Sequence, residues 1–175
     1  MIKLNASQLR KGIGDRVQGI VKKQEIYIVL DNVLDTYNIG SIFRLADAVA
    51  AKKIYLCGGT EIPPNHRIKK ASINTTEWVE WSYKESAIEA INDIRLTIND
   101  IQIVAIEQST KSVQYDKFDY KLPICLIVGN ETHGVSKEVL EMVDAIVEIP
   151  MFGVNISLNV MVSLGIVLYK VIEKT

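Results

Sequence analysis

The residues of this chain best suited to chemistry lie between Leu126 and Lys170, where LIVGNETHGVS is followed by VEIPMFGVNISLNVMVSLGIVLYK. Gly129 and Gly134 let the main chain turn sharply and approach a ligand closely, and Gly153 adds a second corner after Pro150. Such a segment, with a buried Ser-Leu-Asn at a helix start, builds its pocket from backbone rather than side chains, and suits an uncharged, adenosine-like body. No Ser-His-Asp order stands out, and Cys57 and Cys125 sit inside apolar, strand-like runs, so covalent catalysis is not expected. His66 and His133 lack the companion ligands that would argue for a metal and read as loop histidines. No GxGxxG follows the first apolar run and no GxxxxGK[ST] occurs, which disfavours a nucleotide-binding oxidoreductase or a kinase-like domain.

The elements that must hold these residues alternate along the chain. The apolar run 26–30 has the length and continuity of an interior strand of a parallel sheet. Asn38 is placed to cap a helix running through Phe43 and Ala50, and 53–57 is the next strand, which completes a β-α-β unit. The spacing then predicts a short strand at 78–81, a helix over 83–96 with Ala87, Ile88, Ile91 and Ile94 inward, and strands at 101–106 and 124–128. Ser136 is placed to cap a helix through Met142, 145–148 is a strand, and Ser157 opens a final helix to about Glu173. Leu9, Ile13 and Val17 give residues 5–18 the spacing of a short amphipathic helix, and 109–122 reads as a surface loop. The alternation identifies an α/β fold with a parallel sheet.

At 175 residues and 48% hydrophobic content, the chain is expected to be one domain that buries its core without disulfides or metals. No run approaches the ~20 apolar residues of a membrane span, and the start lacks the apolar region of a signal peptide. Two cysteines, Cys57 and Cys125, make neither a metal pair nor a disulfide framework and fit a reducing, cytoplasmic setting. The net charge of -1 conceals an asymmetry, because residues 1–70 hold 12 Lys and Arg against 6 Asp and Glu, whereas the remainder holds 8 against 15. Lys3, Arg10, Lys11, Arg16, Lys22 and Lys23 form one basic group, and His66, Arg67, Lys69 and Lys70 form another. Polyanions respond to local potential, so this half is expected to face RNA.

The glycine-rich segment resembles the second and third signature motifs of the SpoU family, also called the TrmH family, of RNA ribose 2'-O-methyltransferases. VLDTYNIGSIFRLADA, at 33–48, is similar to the first motif, with Asn38, Gly40 and Arg44 at its spacing. The likeness runs from Glu25 to Val171 and includes EIPPNHR. The resemblance implies S-adenosylmethionine as cofactor, no metal, tRNA or rRNA as substrate, and a homodimer. It also implies helices on both faces of the sheet and a C-terminal trefoil knot that threads 128–159 through a loop, which periodicity alone could not reveal.

By the same resemblance, Arg44 steadies a phosphate beside the ribose, a task suited to its planar and permanently charged fork, with general-base action, which a pKa above about 12 opposes, as the alternative role. Asn38, Glu131, Ser157 and Asn159 complete the implied catalytic set. Gly129, Ile149 and Leu158 are implied to hold the cofactor through main-chain groups, with Glu107 touching its methionine or ribose part. His66, Arg67, Lys69 and Lys70 are the RNA-facing set. Gly40, one turn ahead of Arg44, is placed to let the nucleotide approach closely. Each residue also has a plainer reading: helix capping for Asn38 and Ser157, packing for Gly40, a surface carboxylate for Glu131, and satisfaction of buried backbone for Asn159. A catalytically silent RNA-binding protein of the same fold is the alternative, disfavoured by the presence of both Arg44 and the Ser-Leu-Asn.

Overall fold

The computed structural model describes residues 21–174, so the expected helix over 5–18 lies outside the described residues. Seven strands, β1 (Gln24–Asp31), β2 (Ala51–Cys57), β3 (Trp81–Lys84), β4 (Gln102–Ile106), β5 (Val113–Gln114), β6 (Ile124–Gly129) and β7 (Ala145–Glu148), form one sheet in the order β3-β2-β1-β6-β4-β7-β5. Every pairing is parallel. The helices are α1 (Thr36–Ala48), α2 (His66–Ser72), α3 (Ala87–Thr97), α4 (Lys137–Leu140) and α5 (Val160–Lys174).

Strand alternation explains why the apolar runs are continuous. In β1, Ile26, Ile28 and Leu30 join Ile39, Ile42 and Phe43 of α1 and Leu164, Val167 and Leu168 of α5 in one core. Tyr27 and Val29 face the other way, against Ala90, Ile91 and Ile94 of α3 and Val139 of α4. A central strand buried on both faces has no polar side to show, hence the unbroken hydrophobic pattern. Each such Ile or Leu side chain contributes about 1.5–3 kcal/mol relative to exposure.

The strand order reverses between β3 and β4. The chain steps outward through β1, β2 and β3, then returns to the other side of β1, where β6 fills the gap before β4. Asp31 and Gly129 stand in register at the ends of β1 and β6. The carboxyl ends of β4, β6 and β7 therefore open together beside the reversal, where parallel sheets leave a crevice.

Several local expectations are corrected. Asp35, not Asn38, caps α1, its Oδ1 accepting from the N–H groups of Tyr37 (2.7 Å) and Asn38 (3.2 Å). Ser86 caps α3, which begins at Ala87 rather than 83, and the strand expected at 78–81 is displaced to Trp81–Lys84 behind a 3-10 turn at Thr75–Glu77. The loop 109–122 carries the two-residue β5 at the sheet edge. His66, expected to be a loop histidine, is instead the first residue of a helix, α2, which also carries Arg67, Lys69 and Lys70. Cys57 and Cys125 are both buried and free, and burial followed by the Asp31 charge pushes the Cys57 thiol up to about 12, which leaves it inert.

Candidate functional site

The site begins where β6 ends. Gly129 abuts Gly134 so closely that a Cβ on Gly129 would overlap the Gly134 carbonyl group. Gly134 adopts φ +71, and a Cβ there would overlap the Glu107 carboxylate. Asn130 and Gly134 exchange both backbone hydrogen bonds, at 3.0 and 2.8 Å, closing a tight turn. Within it, Asn130 Oδ1 accepts from the N–H groups of Thr132 (2.9 Å) and His133 (3.1 Å), and His133 Nδ1 lies 3.2 Å from the same oxygen. Glu107, at the end of β4, accepts from Val135 N at 2.9 Å and so props the turn from below.

A second set of bonds fastens this turn to the segment between β1 and α1. Buried Asp31 accepts from Ser136 through both N (2.9 Å) and Oγ (2.7 Å), so Ser136 spends its hydroxyl on Asp31 and makes no cap bond to α4. Asn130 Nδ2 donates to the Asn32 carbonyl at 2.9 Å. Glu131 accepts from Leu34 N (3.1 Å), Asp35 N (3.0 Å) and Asn38 Nδ2 (3.0 Å). Partial burial acts to raise the Glu131 pKa, but the donors from Asn38, Leu34 and Asp35 outweigh it and hold the carboxyl below its usual value.

Asn38 joins this assembly to the last helix. Its Oδ1 accepts from Asn159 Nδ2 at 2.9 Å, so one amide ties Glu131 and Asn159 together. Asn159 in turn accepts from Met161 N (3.0 Å) and Val162 N (3.4 Å) and is the residue that caps α5. Ser157 was expected in that role, in a buried Ser-Leu-Asn. Instead, residues 157–159 are exposed and Ser157 has no hydrogen bond among the described residues.

Between the turn and the segment 151–158 lies a cleft of about 480 Å³ at the carboxyl ends of β4, β6 and β7. That volume is within the ~300–1,000 Å³ typical of small-molecule sites. Glu107, Gly129, Ile149 and Leu158, the expected cofactor residues, all line it, as do Glu131, Ser157 and Asn159. His133, read from sequence as a loop histidine, lines it too. Glycine-lined main chain on one side and the apolar Ile149 and Leu158 on the other fit a nucleoside body carrying an aminoacyl tail.

Arg44 and the α2 cations stand outside the cleft. Arg44 is exposed on α1 with no hydrogen bond or ion pair among the described residues. Gly40, one turn before it, faces α2 rather than open space, since a Cβ there would lie 2.6 Å from Ala71 Cβ and 2.7 Å from the Ile68 carbonyl oxygen. His66, Arg67, Lys69 and Lys70 are all exposed on α2, and Lys69 pairs with Glu77 at 3.5 Å. Sequence reasoning missed Asp31, Asn130 and Ser136. The signal available for Asp31 was a carboxylate directly after an interior strand, where polar groups of parallel sheets collect.

The sequence pattern of the SpoU rRNA Methylase family matches residues 25–169. A tRNA (guanosine(18)-2'-O)-methyltransferase of Aquifex aeolicus is 33% identical over 151 residues, which cover 85% of this chain and 69% of that protein. The crystal structure of an A. aeolicus TrmH/SpoU tRNA modifying enzyme superposes with a TM-score of 0.78 at 29% identity, covering 97% of this chain and 81% of the other. An AdoMet-bound rRNA methyltransferase from Sinorhizobium meliloti superposes with a TM-score of 0.79 at 30% identity, covering 94% of this chain and 59% of the other. This chain thus spans roughly three fifths to four fifths of the length of these proteins.

Proposed function

The chain belongs to the SpoU rRNA Methylase family, and on that premise we propose that it transfers a methyl group from S-adenosylmethionine to a ribose 2'-hydroxyl of tRNA or rRNA. The observation that carries this reading is the Asn38 amide, which joins three segments far apart in sequence at the rim of one glycine-lined cleft. When bound, S-adenosylmethionine supplies an activated methyl group on a sulfonium. Main-chain groups at Gly129, Ile149 and Leu158 hold it, with Glu107 at the cleft floor. Asn38, Glu131 and Asn159 fix the rim, and Ser157 presents a free hydroxyl there. Arg44 steadies a phosphate next to the target ribose so that the hydroxyl is aligned for attack. Exposed His66, Arg67 and Lys70 of α2 carry the RNA alongside.

Two further parts belong to the proposal. Phe152 and Val154, 94% and 102% exposed and outside the cleft lining, leave an apolar strip beside it. A second copy of the chain covers it, so the working unit is a homodimer. The reversal of strand order around β6 is the point at which the trefoil knot is formed. No helix among the described residues is long and apolar enough to cross a membrane. The two buried thiols support a cytoplasmic setting.

Calorimetry with S-adenosylmethionine, paired with transfer of labelled methyl into unmodified bulk RNA, tests the reading. The wild type binds the cofactor and labels RNA. Arg44→Ala keeps cofactor affinity but loses about 10²–10³-fold in transfer, the usual cost of removing a charge that steadies the reacting group. An unchanged transfer rate in that variant would remove Arg44 from the mechanism. RNA binding with no transfer by the wild type would favour the catalytically silent alternative.

A further inference from the structure

Helix α2 is only seven residues long, with Ile68 and Ser72 buried and its cations outward. A helix so short is not stable by itself, and its position depends on what it rests against. It rests on α1 at Gly40, where the missing side chain admits Ala71 Cβ, the Ile68 carbonyl and Ser72 N to within 2.6, 2.7 and 3.0 Å of the place a Cβ would occupy. Arg44 lies one turn beyond Gly40 on the same face of α1, and Arg67 one turn before Ala71 on α2. Each guanidinium-bearing turn therefore starts about 5–6 Å along its helix from the close approach at Gly40.

The cations of this pair of helices are not equivalent. Lys69 reaches Glu77 at 3.5 Å and must surrender that partner to meet a phosphate. Arg44, Arg67 and Lys70 have no hydrogen bond or ion pair among the described residues, so their full charge is available.

Resting on the reading of the chain as an RNA methyltransferase, we propose that Gly40 is a positioning residue. It docks α2 onto α1 so that Arg44, Arg67 and Lys70 form one phosphate-binding face for the substrate RNA, with Lys69 outside it.

The test is the affinity of the full chain for an unmodified tRNA transcript, measured without cofactor across a range of salt. Arg67→Gln and Lys70→Gln should each lower the slope of log affinity against log salt by about 0.7–0.9, the value of one released phosphate contact. Lys69→Gln should leave the slope unchanged, and Glu77→Gln should tighten binding by freeing Lys69. Gly40→Ala should weaken RNA binding at least tenfold and flatten the slope, with S-adenosylmethionine affinity unaltered. Adding Ala71→Gly to it should restore part of the loss. A Gly40→Ala protein with normal slope and affinity, or a Lys69→Gln loss as large as that of Arg67→Gln, would overturn the proposal. If the slopes follow but no methyl is transferred by the wild type, the phosphate face stands and the methyltransferase reading falls. If methyl is transferred but the slopes do not follow, only the phosphate face falls.

Discussion

The two walls of the cleft are built in opposite ways. The turn 129–136 is bonded to its surroundings through Asp31, Asn32, Leu34, Asp35, Asn38 and Glu107, and two of its glycines have no room for a side chain. The segment 151–158 is fastened from outside by the Gln108 amide on the Ile156 carbonyl, and it presents Phe152, Val154 and Ile156 to solvent. A Cβ on Gly153 would meet nothing within 4 Å. The contrast teaches that the first wall is preformed by the chain itself, whereas the second has few bonds of its own and, in the reading proposed above, takes its order from the cofactor on one side and a partner copy on the other.

Gly129→Ala should strike hardest at that contrast. The added methyl overlaps backbone, not a flexible side chain, so a loss of about 3 kcal/mol or more is expected, a fall in Tm of roughly 6–12 °C for a chain this size, with cofactor binding lost. Differential scanning calorimetry reads the first effect and titration calorimetry the second. Retained stability would mean that the turn is not rigid.

Glu131→Gln comes next, with a loss of about 1–2 kcal/mol at neutral pH from weakened charge-assisted bonds to Leu34, Asp35 and Asn38. Because the folded carboxyl sits below its ordinary value of 4.5, its contribution is present above that pH and is lost as the pH falls through the folded value. The stability gap between wild type and variant should therefore narrow on acidification below about 4.5. A gap that is constant with pH would deny the charge any part in holding the turn.

Hydrogen exchange should separate the walls without mutation. Amides of 151–158 should exchange faster than those of 130–136 in the free protein, and S-adenosylmethionine should slow the former by a larger factor. Equal protection in the free protein would erase the distinction. The smallest effect belongs to Gly153→Ala, with a change within about 0.5 kcal/mol and a Tm within about 2 °C of wild type.

Much of the scaffold was legible because burial on two faces leaves an unmistakable pattern. The runs holding Ile26 to Leu30 and Ile124 to Val128 are β1 and β6, and Ala145–Glu148 is β7 as expected. Caps were harder to read, because good candidates compete. Asp35 and Asn38 both suit the start of α1, and Ser157 and Asn159 both suit α5. In each case the choice was made by the contact between Asn38 and Asn159, 121 positions apart, which no local pattern contains. Asp31 and Ser136 escaped for the same reason, being 105 positions apart. The cleft residues Glu107, Gly129, Ile149 and Leu158 were located through motif resemblance rather than periodicity, since backbone-built sites leave only glycine spacing in the sequence.

The central claim is tested most directly by where the methyl group lands. RNA labelled from S-adenosylmethionine by the purified protein would be hydrolysed with alkali, which cleaves after every ribose with a free 2'-hydroxyl. The account predicts label in alkali-resistant dinucleotides, the signature of a methylated 2'-oxygen. Label recovered in mononucleotides, on a base, or no incorporation into any tRNA or rRNA, would contradict it.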